Sequence, residues 1–152
     1  MTTRKKILLT ASAVFIIMQF FQPEKNNNER ITGNDISRVY QVPVNVNAIL
    51  RNSCYDCHSD STRYPWYASI QPFAWWMNEH IKEGKSELNF NEFGTYSSRR
   101  QKSKIRAIEE SVEDGSMPLA SYTLIHQSAK LSKDEKRIIK EWLAEIENTR
   151  PR

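Results

Sequence analysis

Hydrophobic positions along the chain form one unbroken run followed by several interrupted ones. The run is residues 7–21, Ile-Leu-Leu-Thr-Ala-Ser-Ala-Val-Phe-Ile-Ile-Met-Gln-Phe-Phe, with Arg4, Lys5 and Lys6 before it. A basic start followed by an apolar stretch without a polar face is the layout of an export signal, its positive end held in the cytoplasm. The run leaves through Phe20-Phe21-Gln22-Pro23-Glu24, without the small residues a cleavage site needs. At about 1.5 Å per residue it reaches ~22 Å, short of a ~30 Å hydrocarbon core; flanking phenylalanines and bilayer thinning can take up part of that mismatch. The pattern predicts residues 1–23 as a retained anchor, with cleavage the second choice. The expected location is the cell membrane, single-pass, with the rest of the chain facing the periplasm.

Residues 24–38 begin Glu-Lys-Asn-Asn-Asn-Glu-Arg, polar and rich in turn formers, and predict a tether. Over 39–148 apolar positions recur at helical spacing. A short helix begins at Asn47 and runs into Cys54. A second spans Pro72 to Gly84, with proline in its first turn and glycine as its stop; Phe73, Trp76, Met77, His80 and Ile81 form its apolar stripe. A third starts near Ser98, with Gln101 completing a capping box, and stops at Asp114-Gly115; Ile105, Ile108 and Val112 face inward. The last opens with the box Ser132-Lys133-Asp134-Glu135 and buries Ile138, Ile139, Trp142, Leu143 and Ile146. No stretch alternates with period two for long, so the expected fold class is all-α.

Composition narrows the partners. The formal charge of +4 and pI near 9.1 suggest nucleic acid until the charges are placed. Setting Arg4, Lys5 and Lys6 aside leaves 19 of the 22 basic residues against all 18 acidic ones. No domain-wide basic field remains to neutralise phosphates, so no nucleic-acid partner is expected. Arg99-Arg100-Gln101-Lys102-Ser103-Lys104-Ile105-Arg106 reads as a solvated helix face, with docking of an acidic partner as the alternative.

Both cysteines lie in Ser53-Cys54-Tyr55-Asp56-Cys57-His58-Ser59. A redox dithiol wants its cysteines at a helix start after a strand, and no strand pattern precedes them. A zinc site needs a fourth ligand besides Cys54, Cys57 and His58, and His80 or His126 has no close-spaced companion. A disulfide over this spacing closes a strained, small loop and contributes little. Covalent haem attachment explains every residue: two thiols add to the two vinyl groups, and the adjacent imidazole becomes the axial ligand. The expected cofactor is one covalent haem c, on Cys54 and Cys57, with His58 as proximal iron ligand.

Beyond the motif, from about Tyr40 to Glu147, further elements carry a likeness. They are Asn52 to Ser59, Thr62-Arg63-Tyr64-Pro65-Trp66-Tyr67, Trp75-Trp76 with His80-Ile81 and Gly84, and Glu87-Leu88-Asn89-Phe90. Gly115-Ser116-Met117-Pro118 and Leu131-Ser132 through Trp142-Leu143 complete them. Together these resemble the small haem-binding domain family of exported bacterial proteins, relatives of the c-type cytochromes. The resemblance implies one covalent haem in a small cytochrome c-like helical domain on an anchored chain, and defines the cofactor better than the reaction.

Four residues compete for the sixth iron position. Met77 and His80 sit on an apolar helix face, where core packing is the commoner role; His80 can also line the haem pocket, as can Trp76 and Tyr64. His126 has no independent support. Met117 lies in a polar loop without a packing role, before a proline that restricts its backbone toward an extended form, and is the expected distal ligand. With both axial positions filled, the expected function is one-electron transfer with redox partner proteins rather than catalysis. The alternative is a haem enzyme or a gas or peroxide sensor with an open sixth site, where His80 or Arg63 acts distally. A membrane-tethered binding module stapled by Cys54–Cys57 comes third.

Overall fold

The computed structural model describes residues 2–28 and 33–147. Residues 29–32 of the expected tether and residue 148 of the expected domain lie outside the described residues. The described chain is helical, with a single isolated antiparallel bridge, Asn27 to Ser61, and no strand. Its helices are α1 (Thr3–Met18), α2 (Ile36–Val39), α3 (Val44–Ser53), α4 (Tyr55–His58), α5 (Phe73–Glu87), α6 (Ser98–Asp114), α7 (Ala120–Ile125) and α8 (Lys133–Glu147). Short 3-10 turns cover Trp66–Ser69, Phe90–Thr95 and Gln127–Ala129.

Helical periodicity builds the core. Val46, Ile49, Leu50 and Ser53 of α3 are buried, as are Ile139, Trp142, Leu143 and Ile146 of α8, each set at the spacing that puts four residues on one face. Ile105 and Val112 bring α6 against them, with Ile108 half-buried, and Phe90 and Phe93 fill the centre from the 3-10 turn. Burying one such side chain is worth ~1.5–3 kcal/mol. Trp142 closes the assembly by donating from Nε1 to the Gln41 carbonyl at 3.1 Å, tying α8 to the entry of α3.

The caps explain the boundaries. Ser132 and Glu135 exchange hydrogen bonds reciprocally, with Ser132 N–H to Glu135 Oε2 at 2.8 Å and Glu135 N–H to Ser132 Oγ at 3.2 Å. Gly115 ends α6 at φ 76°, a left-handed conformation that glycine adopts without strain. The cap of α6 differs from expectation. Ser97 is the N-cap, and Gln101 is buried, donating to the Tyr96 and Phe93 carbonyls instead of closing a box. Helix α3 starts at Val44, directly after Pro43, three residues before the expected Asn47.

Two further expectations are corrected in α5. Gly84 does not stop the helix, which runs on to Glu87. Of the expected apolar stripe only Ile81 is buried; Phe73 and Trp76 are exposed, and Met77 and His80 are half-exposed, so no core packs on that face.

Helix α1 buries no residue. Among the described residues no helix is long and apolar enough to cross a membrane. The described parts of 24–38 are stitched to the domain. Asn26 Nδ2 donates to the Ser59 carbonyl at 2.8 Å, and Asp35, fully buried, caps α2 by accepting from Ser37 N–H.

Candidate functional site

The motif sits at a break between helices. Helix α3 ends where Cys54 takes φ −125° and ψ −40°, and α4 restarts at once, with the Cys57 and His58 amides donating to the Cys54 carbonyl at 3.2 and 3.0 Å. Both thiols are free. Burial, with the Cys57 charge second, pushes the Cys54 thiol up to about 12; burial, with the Asp56 charge second, pushes Cys57 to about 11. Reactive redox cysteines are instead held as thiolates by positive surroundings. Among the described residues no group of three or more His, Cys, Asp or Glu side chains converges as a metal site.

His58 is held from one side. Its Nδ1–H donates to the Gly84 carbonyl at 2.9 Å and the Leu88 carbonyl at 3.0 Å. Two carbonyl acceptors require the proton on Nδ1, which leaves the Nε2 lone pair unused when the ring is neutral. Burial holds the ring's pKa below its ordinary value, against the opposing pull of those carbonyls, and keeps it neutral. The arrangement depends on a close approach. A Cβ at Gly84 would lie 2.8 Å from the Cys57 carbonyl oxygen and 3.3 Å from Cys57 Cβ. Only glycine lets the α5 backbone come this near the motif.

Beside the motif lies a narrow, largely apolar cleft with about 50 Å³ of free volume. Cys57, Trp76, Met77, His80, Tyr122 and His126 are among its walls; Cys54 and His58 are not. His80 donates from Nδ1 to the Trp76 carbonyl at 2.9 Å, so its Nε2 also carries a lone pair when neutral. His126 Nε2 and the Tyr67 hydroxyl are hydrogen-bonded at 2.7 Å, and its ring stacks on Tyr122 at 4.4 Å. Tyr122 donates to Asp56 Oδ2 at 2.7 Å, and Arg63 holds Asp56 Oδ1 at 3.1 Å. Asp56 thereby locks the motif to both the loop after it and α7.

The expected site residues divide. Cys54, Cys57 and His58 fall within five residues of sequence, and the cleft gathers Cys57 with Trp76 and His80. Tyr64 stands elsewhere: its hydroxyl accepts from Asn26 N–H at 2.7 Å, and it lines a separate hollow with Gln22, Pro23 and Asn78. Met117 is 37% exposed, donates its N–H to the Ser111 carbonyl at 3.2 Å, and lies two residues before the cleft-lining Leu119 without lining the cleft itself. Sequence reasoning missed Asp56, Tyr67 and Tyr122. Asp56 lies inside the motif and Tyr67 nine residues after it, but Tyr122 had no signal, since hydroxyl and carboxylate partners 66 residues apart leave no local pattern.

No curated protein and no solved structure matches the chain. A family model described as a haem-binding domain matches residues 13–145, starting inside α1 and well before the Tyr40 at which the motif-based likeness begins. Covering most of the chain, motif and cleft included, that match means that the protein belongs to the haem-binding domain family.

Proposed function

We propose that this protein is a membrane-anchored c-type haem protein that passes single electrons on the periplasmic side. One observation carries the reading: two free thiols flank a turn that ends in an imidazole held neutral, its Nδ1–H on the Gly84 and Leu88 carbonyls. The donor set fits a covalent haem. Cys54 and Cys57 would supply thioether sulfurs, the S–H of each adding across one vinyl double bond. His58 supplies Nε2, oriented through Nδ1 as second-shell acceptors orient a metal-bound imidazole. The haem, when bound, supplies the one-electron iron couple. The chain's own part is to fix the proximal ring, provide apolar walls through Trp76, Met77 and Ile81, and keep water away.

Met117 is the proposed distal ligand. The loop that bears it joins the end of α6 to α7, whose neighbour Leu119 already forms part of the cleft wall. Its thioether would close the sixth position and leave no substrate site, which favours electron transfer. A second reading has a specific observation behind it: His80 lines the cleft, its Nδ1 on the Trp76 carbonyl, whereas Met117 does not line it. An iron left open beside His80 would suit a gas sensor or peroxide-using enzyme.

Protein made in a host with c-type haem assembly tests both. Haem should remain on the chain through denaturing electrophoresis, and the oxidised protein should show the weak sulfur-to-iron absorption band. Met117→Ala should remove that band and let the reduced protein bind carbon monoxide. If the band is absent from the parent and His80→Ala opens the site, the Met117 assignment fails. Haem lost on denaturation refutes covalent attachment.

A further inference from the structure

The exit of α1 is fastened to the haem domain by side chains and backbone together. Gln71, fully buried, donates from Nε2 to the Phe21 carbonyl at 2.6 Å, and its N–H donates to Gln19 Oε1 at 2.9 Å. Trp75 Nε1 donates to the same Phe21 carbonyl at 2.9 Å, and Gln22 Nε2 to the Ser69 carbonyl at 3.2 Å. These bonds fix the direction of α1 relative to the start of α5 and the turn at Trp66–Ser69. The segments they join carry the exposed aromatics Phe20, Phe21, Trp66, Phe73, Trp75 and Trp76. Phe20 is 82% and Trp66 79% exposed. Single exposed apolar residues need no explanation, but six large exposed aromatics on the segments that meet at one joint do.

Helix α1 supplies the reason. Its 16 residues reach only ~24 Å at about 1.5 Å per residue, against a hydrocarbon core of ~30 Å. An anchor this short must draw its neighbours toward the bilayer, and Trp and Phe are the side chains that settle at the headgroup boundary. We infer that the aromatic collar around the Phe21–Gln71–Trp75 joint is a lipid-binding surface that seats the haem domain in the headgroup layer. The inference rests on the anchor reading of α1. It commits to phospholipid as the occupant, because the collar is continuous with a helix whose every described residue is unburied. Trp76 belongs both to the collar and to the cleft wall, so docking sets the cleft's rim at the membrane surface.

The test uses the full chain with haem, reconstituted in phosphatidylcholine and phosphatidylglycerol vesicles carrying a photoreactive acyl-chain lipid. A parallel sample receives a water-soluble carbene reagent, and labelled peptides are mapped by mass spectrometry. Lipid label should concentrate on residues 66–76 relative to the soluble label, and Trp66→Ser with Phe73→Ser should reduce it several-fold while the haem spectrum stays unchanged. A chain that fails to float with vesicles overturns the anchor reading and this one with it. A chain that floats without lipid label on 66–76 overturns the collar alone. Cross-links between copies through that segment would assign the face to a second copy and likewise overturn lipid docking.

Discussion

Replacing Gly84 by alanine probes the joint that holds the motif against α5. The added Cβ falls 2.8 Å from the Cys57 carbonyl oxygen, where ordinary contact begins at 3.4 Å. Restoring contact distance takes a separation of about 0.6 Å between α4 and α5, and close-packed interiors resist such shifts. The obstacle is backbone, so no side chain can swing aside. Overpacking of this kind costs about 1–3 kcal/mol. Alanine in a helix interior returns about 1 kcal/mol relative to glycine. The net expectation is a loss of about 0–2 kcal/mol, a melting temperature lower by up to about 8 °C at ~4 °C per kcal/mol for a domain of this size. The same displacement stretches the 2.9 Å bond from His58 Nδ1 to the Gly84 carbonyl. Haem content and the reduced spectrum should therefore change along with the thermal melt followed by circular dichroism. A variant that melts about 4 °C higher, as an ordinary exposed helix glycine would, with its haem spectrum unaltered, refutes the close approach.

Other substitutions read separate parts of the structure. Cys57→Ser should leave haem held by one thioether, visible as reduced haem stain after denaturing electrophoresis, and Cys54→Ser with Cys57→Ser should abolish it. Asp56→Ala strips the carboxylate from the Tyr122 hydroxyl and the Arg63 guanidinium, and urea titration should show a loss of about 1.5–3 kcal/mol, the range for hydrogen bonds to a charged group. Glu135 has its pKa held below 4.5 by the Ser132 N–H and hydroxyl. Its contribution is thus complete above that value and lost as pH falls through the lower, folded-state pKa. Ser132→Ala should cost about 0.5–2 kcal/mol at neutral pH, and Glu135→Ala should flatten the acid limb of a stability–pH curve; an unchanged acid limb would contradict the capping assignment.

The all-helical architecture and most of the core were legible in the residue pattern because they follow from local spacing. Ile139, Trp142, Leu143 and Ile146 lie on one face of any helix that contains them, and the Ser132–Glu135 box and the left-handed Gly115 act within a few residues. The Cys-x-x-Cys-His motif is equally local. Its chemistry could be named from the sequence because the spacing of two thiols and an imidazole is itself the signal.

Contacts between distant segments were decided by tertiary structure alone. A helical glycine reads as a stop until a second backbone, at Cys57, is seen 2.8 Å from its missing Cβ. The α5 stripe reads as core until the fold leaves Trp76 exposed and Met77 and His80 half-buried at the wall of a cleft. His126 had no sequence support, and it joined the cleft because α7 brings it to Tyr67, 59 residues earlier. Periodicity records which face of a helix is apolar; what that face meets depends on chain segments whose separation leaves no trace in local spacing.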